Sequence, residues 1–280
     1  MPELPEVETA CRTMRSVLVG HKIVEAEVAP DSIVLGGAPP EAVTSALEGR
    51  TVTAIGRKGK FWWIEFAESP WVFGHLGMAG WIREMGAHTI RLREHGEAPM
   101  DDENGRPRFL KLRLKSDNGR QVVFTDGRRL GRIWLAPNAE TDPRVKTLGP
   151  DAWQAMPTVE ELKKQLGKRK APIKALLMDQ NWISGIGNWL ADEILYHARI
   201  APGREASSLS EAEIKLMRAK TLEILERAVN DGADATKYPQ DWLFHVRWGG
   251  SKGNDTHQGY RLVRETVGGR TTAWLPELQK

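Results

Sequence analysis

The chain has 280 residues, and its 40 Lys and Arg against 37 Asp and Glu leave a formal net charge of +3. This length permits two domains with separate cores, and so small a net charge means that any nucleic-acid surface must come from local clusters of cations. The single cysteine excludes a disulfide framework and a cysteine-based zinc site. No apolar run approaches the roughly 18 residues of a membrane span, and no signal peptide precedes the first motif, so we expect a soluble, intracellular protein.

The first feature along the chain is Pro2, which becomes a free secondary amine if Met1 is removed. A prolyl nitrogen inside a chain is an amide without basicity, whereas a terminal one can attack an aldehyde carbon and form an iminium ion. With an α-amino pKa of about 8, roughly a tenth of this amine is unprotonated at neutral pH. The alternative is an ordinary frayed terminus without chemistry.

A helix is predicted from Glu3 to Leu18, because apolar residues recur at the spacing of one buried face and Pro5 suits a first helical turn. Such a helix would hold the terminus in place. Its dipole favours a carboxylate, so Glu3 would need burial or a nearby like charge such as Glu6 in order to donate a proton. Acidic residues in a first turn also compensate the dipole, which favours structural roles for Glu6 and Glu8.

The rest of the first half consists of short β-branched or aromatic runs separated by Gly, Pro and Asn, which predict an antiparallel sandwich or flattened barrel. The predicted strands are Lys22 to Val28, Thr51 to Ile55, Phe61 to Phe66, Trp71 to His75, Phe109 to Leu114, Gln121 to Thr125 and Arg132 to Leu135. After a linker near Asp142 that contains Pro143, Gly149 and Pro150, the periodicity becomes helical. The predicted helices are Val159 to Leu166, Pro172 to Met178, Asn188 to His197 and Ser210 to Asn230, the last opened by a capping box of Ser210 and Glu213. We therefore expect an α+β multidomain protein.

Three loops of the first half carry candidate functional side chains. The connection from Gly56 to Phe61 holds three cations but lacks the pattern of a nucleotide-triphosphate loop, and by itself it is typical of a solvated turn. Glycines frame Met78, which can be presented outward or can fill a gap in the core. The loop from Thr125 to Gly131 contains Arg128 and Leu130.

The run from Ile173 to Leu195 is the strongest internal motif. Gly185 and Gly187 permit a tight turn, after which Asn188 can begin a helix. The free N–H groups at such a helix end can bind an anion. A helical hairpin without a ligand has the same capping chemistry, so a phosphate site and a purely structural element are both open.

Together these motifs resemble the formamidopyrimidine-DNA glycosylase and endonuclease VIII family. The resemblance rests on Pro2-Glu-Leu-Pro-Glu-Val-Glu8 and on the Ile173 to Leu195 run, and it covers essentially the entire chain. It implies an N-terminal helix with an antiparallel β-sandwich (residues 1–141), a helix-two-turn-helix domain (142–247) and a C-terminal finger (248–280). Residues 248–280 contain no cysteine and only His257, so the four-ligand zinc site of many relatives cannot form here. Gly268 to Trp274 instead resembles the second strand of the zincless β-hairpin finger of plant and fungal members.

The function implied by the resemblance is a bifunctional DNA glycosylase and AP lyase that removes oxidised purines, such as 8-oxoguanine and formamidopyrimidines. Its partner would be damaged double-stranded DNA, and it would act as a monomer without cofactor, metal or membrane. The resemblance assigns to Pro2 the attack on C1′, to Glu3 the proton on the deoxyribose ring oxygen, to Lys60 a second acid/base role with Lys58 as its rival, and to Arg270 assistance to δ-elimination. The implied DNA-binding residues are Met78, Arg128, Leu130, Arg169, Lys174 and Asn188.

The chain also departs from the family pattern at two positions. Leu130 stands where a phenylalanine is usual, and Phe109 stands where many relatives have a DNA-contacting histidine. The loop that selects the base is expected within residues 238–259. The alternative functions are a non-catalytic DNA-damage binding protein of the same fold and a tautomerase that uses Pro2 as a general base. The subgroup implies a nuclear protein if the source is eukaryotic and a cytoplasmic one otherwise.

Overall fold

The chain begins with a helix whose first turn is buried. In the computed structural model, which describes residues 1–87, 101–248 and 255–280, helix α1 spans Leu4–Leu18 and Glu3 is its N-cap. Pro5 lies in the first turn, and the apolar stripe from Val7 to Leu18 faces the interior. The prediction of a helix that holds the N-terminus is therefore confirmed.

Two antiparallel four-stranded sheets follow α1 and share one apolar core with it, which confirms the predicted sandwich. The first sheet has the order β1-β6-β7-β5 and the second the order β2-β3-β4-β8. The strands are β1 Ile23–Val28, β2 Val52–Lys58, β3 Phe61–Phe66, β4 Trp71–His75, β5 Trp81–Glu84, β6 Leu110–Ser116, β7 Gln121–Thr125 and β8 Arg132–Ala136. A short helix, α2, spans Pro40–Ser45. Strand β5 was not among the predicted strands, because its four residues end in the polar pair Arg83 and Glu84.

The second half is helical, as predicted. Its helices are α3 Pro143–Lys146, α4 Val159–Leu166, α5 Ile173–Leu177, α6 Asn188–Ala198 and α7 Glu211–Asn230, with 3-10 turns at Ala206–Ser208, Ala235–Lys237 and Leu243–His245. Four short strands end the described chain: β9 Thr256–His257, β10 Tyr260–Arg261, β11 Val263–Val267 and β12 Arg270–Trp274. The capping box that opens α7 is present, since Glu213 N donates to Ser210 Oγ and Ser210 N donates to Glu213 Oε2.

The described chain divides into two compact units, Met1–Thr147 with Gly232–Ala235, and Leu148–Asp231 with Thr236–Lys280. Asp142, near the predicted linker, belongs to the first unit. Its carboxylate caps α3 by accepting from Arg144 N at 2.8 Å, and it also accepts from Trp134 Nε1 at 2.8 Å. The boundary after residue 141 and a separate finger from residue 248 stay predictions. Residues 249–254, within the predicted base-selecting loop, lie outside the described residues.

In the second sheet, the indole ring of Trp62 packs directly on Gly74 of the neighbouring strand. Gly74 on β4 pairs with Trp62 on β3, and the Trp62 indole lies directly over the glycine, so a β-carbon there would overlap the ring. Trp62 is fully buried, and it contacts Phe124 edge to face with ring centroids 6.3 Å apart. Glycine at position 74 is therefore required by the size of its neighbour.

We expect Gly74→Ala to lower the free energy of unfolding by about 1–3 kcal/mol, because the buried indole must shift to admit the methyl group. Gly203→Ala is the control, since a β-carbon there meets nothing within 4 Å. Urea unfolding of both variants measures the difference. The double variant Trp62→Phe/Gly74→Ala should lose less free energy of unfolding than the sum of the two single variants, because the smaller ring leaves room for the methyl group. If the losses of the two single variants simply add, the overlap of Trp62 with position 74 is not the cause.

Candidate active site

A small cavity lies beside the N-terminus in the first unit. Its volume is about 160 Å³, and its walls include Pro2, Glu6, Leu76, Gly80 and Trp81. Pro2 comes directly before the buried first turn of α1, so its position is set by a rigid element rather than by a loose chain end. In this chain Met1 acylates the Pro2 nitrogen, which is therefore an amide. Removal of Met1 would turn the same nitrogen into an amine at the cavity wall.

Two carboxyl groups stand beside Pro2. Glu3 is 1% exposed, and its backbone N–H donates to Glu6 Oε2 at 3.0 Å. Burial of Glu6, followed by the nearby charge of Glu3, raises the pKa of Glu6 to about 7. The sequence indicated only a structural role for Glu6, yet this residue caps α1, lines the cavity and has a pKa near neutrality. Its first-turn position gave no signal of the burial that produces this shift.

Glu8 holds α1 against the second sheet. Its carboxylate accepts from Arg57 Nε at 3.0 Å and from Arg15 Nη1 at 2.7 Å, and the Arg57 side chain is completely buried. Arg57 also donates to Gly59 O at 2.9 Å, in the turn that precedes Lys60. Glu8 therefore has a structural role, although it acts through ion pairs rather than through the predicted compensation of the helix dipole. One buried ion pair connects the N-terminal helix to the loop of the candidate lysine.

The two rival lysines of this loop differ in their surroundings. Lys60 is buried at 7% exposure, whereas Lys58 Nζ donates to Val145 O at 3.4 Å. Burial, followed by the charges of Lys60 and Arg132, lowers the pKa of His75 to about 4. Lys60 therefore lies close to His75, although it is not among the residues that line the cavity beside Pro2.

His75 shapes the loop that carries Met78. Because its lowered pKa keeps the ring neutral, Nδ1 can accept the Gly77 N–H at 3.0 Å. Gly77 has a φ of +66°, which favours glycine. Sequence reasoning did not identify His75 as a site residue. Its position at a strand end before a glycine-framed loop is the only signal that could have indicated it.

The structure brings Met78, Arg128 and Leu130 together. Gly77 packs against the backbone of Leu130 and Gly131 so closely that a β-carbon at Gly77 would overlap it. All three candidate side chains are exposed, with Met78 at 37% and Leu130 at 40%. The loop of Arg128 and Leu130 is held by the buried Asp126, which accepts from Arg128 N at 3.0 Å and from Gly131 N at 2.7 Å. Met78 is therefore presented outward and does not fill a gap in the core.

In the second unit, Lys174 is fully buried. Its ammonium lies 2.7 Å from Asp192 Oδ1 and donates to Thr272 Oγ1 at 2.6 Å. Asp192 also accepts from Arg247 Nη2 at 2.5 Å and from Ala273 N at 3.2 Å. The resemblance assigned Lys174 to direct DNA contact, but in this structure the ammonium binds the inner side of β12. A direct phosphate contact would require this network to open.

The other predicted residues of this unit surround the same strand or lie apart from it. Asn188 is the first residue of α6, and its Nδ2 donates to Thr271 O at 3.1 Å, next to Arg270. Arg270 is exposed at the start of β12, after the Gly268-Gly269 turn. A β-carbon at Gly268 would lie 2.8 Å from Ala175 Cβ, so this turn packs on α5. Lys174, Asn188 and Arg270 are therefore brought together, whereas Arg169 is exposed in the loop after α4.

Neither a metal centre nor a membrane helix is found in the described residues. Across residues 1–87, 101–248 and 255–280, no group of three or more His, Cys, Asp or Glu is placed to hold a metal ion. His257 is buried, and its Nε2 lies 2.9 Å from Asp241 O. No helix of the same residues is long and apolar enough to cross a bilayer.

We expect the Glu6 carboxyl to make the stability of the Met1-containing chain depend on pH. Its pKa is raised from 4.5 to about 7, so over this range the folded state holds a proton that the unfolded state has released. The contribution of Glu6 to stability should therefore be fully present below about pH 4.5 and should fall by up to about 3 kcal/mol as the pH rises through about 7. Glu6→Gln should remove this slope and the exposed Glu41→Gln should keep it, as urea unfolding across the range would measure. Parallel profiles for wild type and Glu6→Gln would contradict the assignment.

We expect Asp192→Asn to destabilise the second unit by about 3 kcal/mol, because it removes the buried carboxylate charge that pairs with both Lys174 and Arg247. Glu223→Gln is a matched carboxylate-to-amide control, since Glu223 pairs with Lys220 at 2.7 Å but is 64% exposed. That control should cost about 0.5 kcal/mol or less. Equal losses in urea unfolding would show that Asp192 does not stabilise the fold through its charge.

Comparison with known proteins agrees with this geometry. The family model for the formamidopyrimidine-DNA glycosylase N-terminal domain matches residues 1–133, and the model for the H2TH domain of the same proteins matches residues 148–240. The formamidopyrimidine-DNA glycosylase of Arabidopsis thaliana is 39% identical over 280 residues, which cover all of this chain and 71% of that protein. That of Pelotomaculum thermopropionicum is 31% identical over 290 residues, covering 100% of this chain and 99% of that protein.

Solved structures show the same relationship. The Lactococcus lactis formamidopyrimidine-DNA glycosylase, in a complex with DNA containing an abasic site, has a TM-score of 0.80 and 26% identity, with full coverage of both chains. A MutM protein in complex with DNA containing carbocyclic 8-oxo-G has a TM-score of 0.81 and 27% identity, again with full coverage of both chains. On these matches to both domains and to full-length relatives, the chain belongs to the formamidopyrimidine-DNA glycosylase family.

Proposed function

We propose that this protein is a bifunctional DNA glycosylase and AP lyase of base excision repair, acting as a monomer on damaged double-stranded DNA. The observation that carries the proposal is the position of Pro2, directly before the buried first turn of α1 and at the wall of a cavity that Glu6 also lines. A terminal amine in such a place can react with a sugar carbon without cofactor or metal. Membership of the family supports the same activity.

In the proposed reaction, removal of Met1 exposes the Pro2 amine, which attacks C1′ of the damaged nucleotide. The C1′–N bond to the base breaks, and the nitrogen and C1′ form an iminium ion while the sugar ring opens. Glu3 delivers a proton to the ring oxygen, and Glu6 replenishes this proton because the pKa of about 7 leaves it partly protonated near neutral pH. Lys60, held in the loop that Arg57 ties to α1, is the second acid/base.

The iminium ion then acts as an electron sink. Loss of a C2′ proton allows β-elimination of the 3′ phosphate, and a second proton loss allows δ-elimination of the 5′ phosphate, which leaves a one-nucleotide gap. We propose that Arg270 assists this second elimination at the phosphodiester. Arg270 is exposed and is the first residue of β12, the strand whose Thr272 and Ala273 bond to Lys174 and Asp192.

We propose that the DNA contacts come from both units. Met78, Arg128 and Leu130 enter the duplex where the damaged nucleotide leaves it, at an unstacking cost of a few kcal/mol. Asn188 and Arg169 bind backbone phosphates, and Lys174 joins them where its network with Asp192 opens. The exposure of Met78 and Leu130 on adjacent loops supports the first part, since large apolar side chains at a surface commonly mark a binding site.

We propose oxidised purines, namely formamidopyrimidines and 8-oxoguanine, as substrates. Support comes from the relatives, because the Lactococcus lactis protein is described in complex with DNA containing Fapy-dG and a MutM protein with DNA containing carbocyclic 8-oxo-G. We also propose that the protein is located with the DNA it repairs, in the nucleus if its source is eukaryotic and in the cytoplasm otherwise. The similarity to an Arabidopsis thaliana protein supports the first of these.

We expect borohydride to trap the protein on a duplex with one abasic site, through the Pro2 nitrogen. A form with a short Gly-Ser extension before Pro2 should give no adduct, because its Pro2 nitrogen is again an amide, and Pro2→Gly should give little. Pro40→Gly, a matched change at the first turn of α2, should trap like the wild type. Peptide mass spectrometry should find the sugar remnant on the N-terminal peptide.

Either of two outcomes would contradict this chemistry. If the adduct maps to Lys58 or Lys60, that lysine and not Pro2 is the nucleophile. Tight, salt-sensitive binding to the abasic duplex with no adduct from the Met1-free protein would instead support a damage-binding protein without lyase activity.

A further inference from the structure

Phe109 is an unusual residue of the first unit. It is 58% exposed, more than any other large hydrophobic side chain that the structure describes. It also has a φ of +58°, a strained left-handed conformation that bulky residues rarely adopt. An exposed ring on a strained backbone contributes nothing to the core, and backbone strain of this kind clusters at functional sites.

The position of Phe109 is defined by the loop of Arg128 and Leu130. Asp126 N donates to Phe109 O at 3.0 Å, which extends the pairing of β6 with β7 by one step. The ring lies against Gly127, where a β-carbon would be 3.3 Å from Phe109 Cδ2. Asp126 is completely buried and also holds Arg128 and Gly131. Phe109 and the loop are therefore parts of one rigid surface.

This surface combines apolar and cationic side chains. Phe109 and Leu130 are exposed, and so are Arg108, next to Phe109 in the chain, and Arg128 in the loop of Leu130. The Arg129 side chain instead forms an ion pair with Asp31, in which Nε donates to Oδ2 at 2.9 Å. An exposed ring together with exposed guanidinium groups matches a strand of nucleic acid, in which flat bases lie between phosphates. Leucine at position 130 can wedge between bases but has no flat face to stack on them.

We propose that Phe109 is a further specificity-determining residue, which stacks on the base left without its partner when the damaged nucleotide leaves the duplex. In this arrangement Arg128 supplies hydrogen bonds to that base, Leu130 supplies the wedge, and Phe109 supplies the aromatic face. This inference rests on the proposed function. It goes beyond that function by assigning base stacking to the residue directly before β6 rather than to the loop after β7.

The test compares Phe109→Ala, Phe109→Leu and Phe109→Tyr in binding to two duplexes, one undamaged and one with a non-cleavable abasic analogue. Phe109→Ala and Phe109→Leu should bind the abasic duplex about 10- to 100-fold more weakly, since stacking on one base is worth that much, with little change on the undamaged duplex. Phe109→Tyr should restore wild-type binding, because it keeps the ring. Val24→Ala is the control, being a 50% exposed apolar residue on β1.

The position of the stacked base is tested with 2-aminopurine placed opposite the abasic analogue. Wild type and Phe109→Tyr should quench its emission on binding, and Phe109→Ala at saturating protein should not. If Phe109→Leu binds and quenches like the wild type, apolar contact alone suffices and the stacking role is wrong. Equal weakening on both duplexes would also overturn it, because that result indicates a non-specific contact.

The outcome for Phe109 is separable from that for the reaction. Borohydride trapping by the wild type and by the Val24→Ala control tests the imine chemistry without reference to the Phe109 ring, and both should give the adduct. Loss of trapping in the wild type itself would overturn the proposed function instead. If Phe109→Ala or Phe109→Leu has a lower thermal unfolding midpoint than the wild type, Phe109→Asn takes its place in the comparison. Asparagine tolerates the left-handed backbone and has no aromatic ring.

Discussion

The buried ion pair between Glu8 and Arg57 is the interaction on which the candidate active site depends. Arg57 lies on β2 with its side chain fully buried, and it bonds both the Glu8 carboxylate on α1 and the Gly59 carbonyl before Lys60. The helix that positions Pro2 and the loop that carries Lys60 are thus tied to one guanidinium. Arginine suits this task because its planar fork can bond two acceptors in fixed directions. Such a pair adds little net stability over apolar packing, but losing one partner leaves a buried charge, so it specifies one arrangement of the two elements.

Asp192 has the corresponding role in the second unit. It accepts from two cations, Lys174 and Arg247, and from the backbone of Ala273, so the strand that begins at Arg270 is fixed from its inner side. Each unit therefore has a buried carboxylate bound to arginine, Glu8 in the first and Asp192 in the second, beside an element that carries candidate functional residues. Neither of these two carboxylates is itself assigned to the sugar or to the phosphodiester.

Much of the fold could be predicted from the sequence, because local periodicity and end signals are properties of neighbouring residues. Strands β3, β4 and β7 and helix α4 have the predicted bounds, and the capping box of α7 is present. Strand β5 could not be predicted, since its four residues become a strand only by pairing with β7. The candidate site was predicted less completely. Motifs indicated Pro2, Met78 and Arg128, but the importance of Glu6, His75 and Phe109 depends on burial, neighbouring charge and exposure, which adjacent residues do not encode.

The sequence by itself determined the family, the order of the elements and the chemistry available at the N-terminus, because these follow from motifs and from the nature of a prolyl amine. Only the tertiary structure decided the protonation state, ion pairing and exposure of each of these side chains. It raised the pKa of Glu6 through burial and the charge of Glu3, and it kept His75 neutral beside Lys60. It also placed the Lys174 ammonium against Asp192 and left the Phe109 ring in solvent. The physical reason is that solvation and the distances between charges depend on residues far apart in the chain, which folding alone brings together.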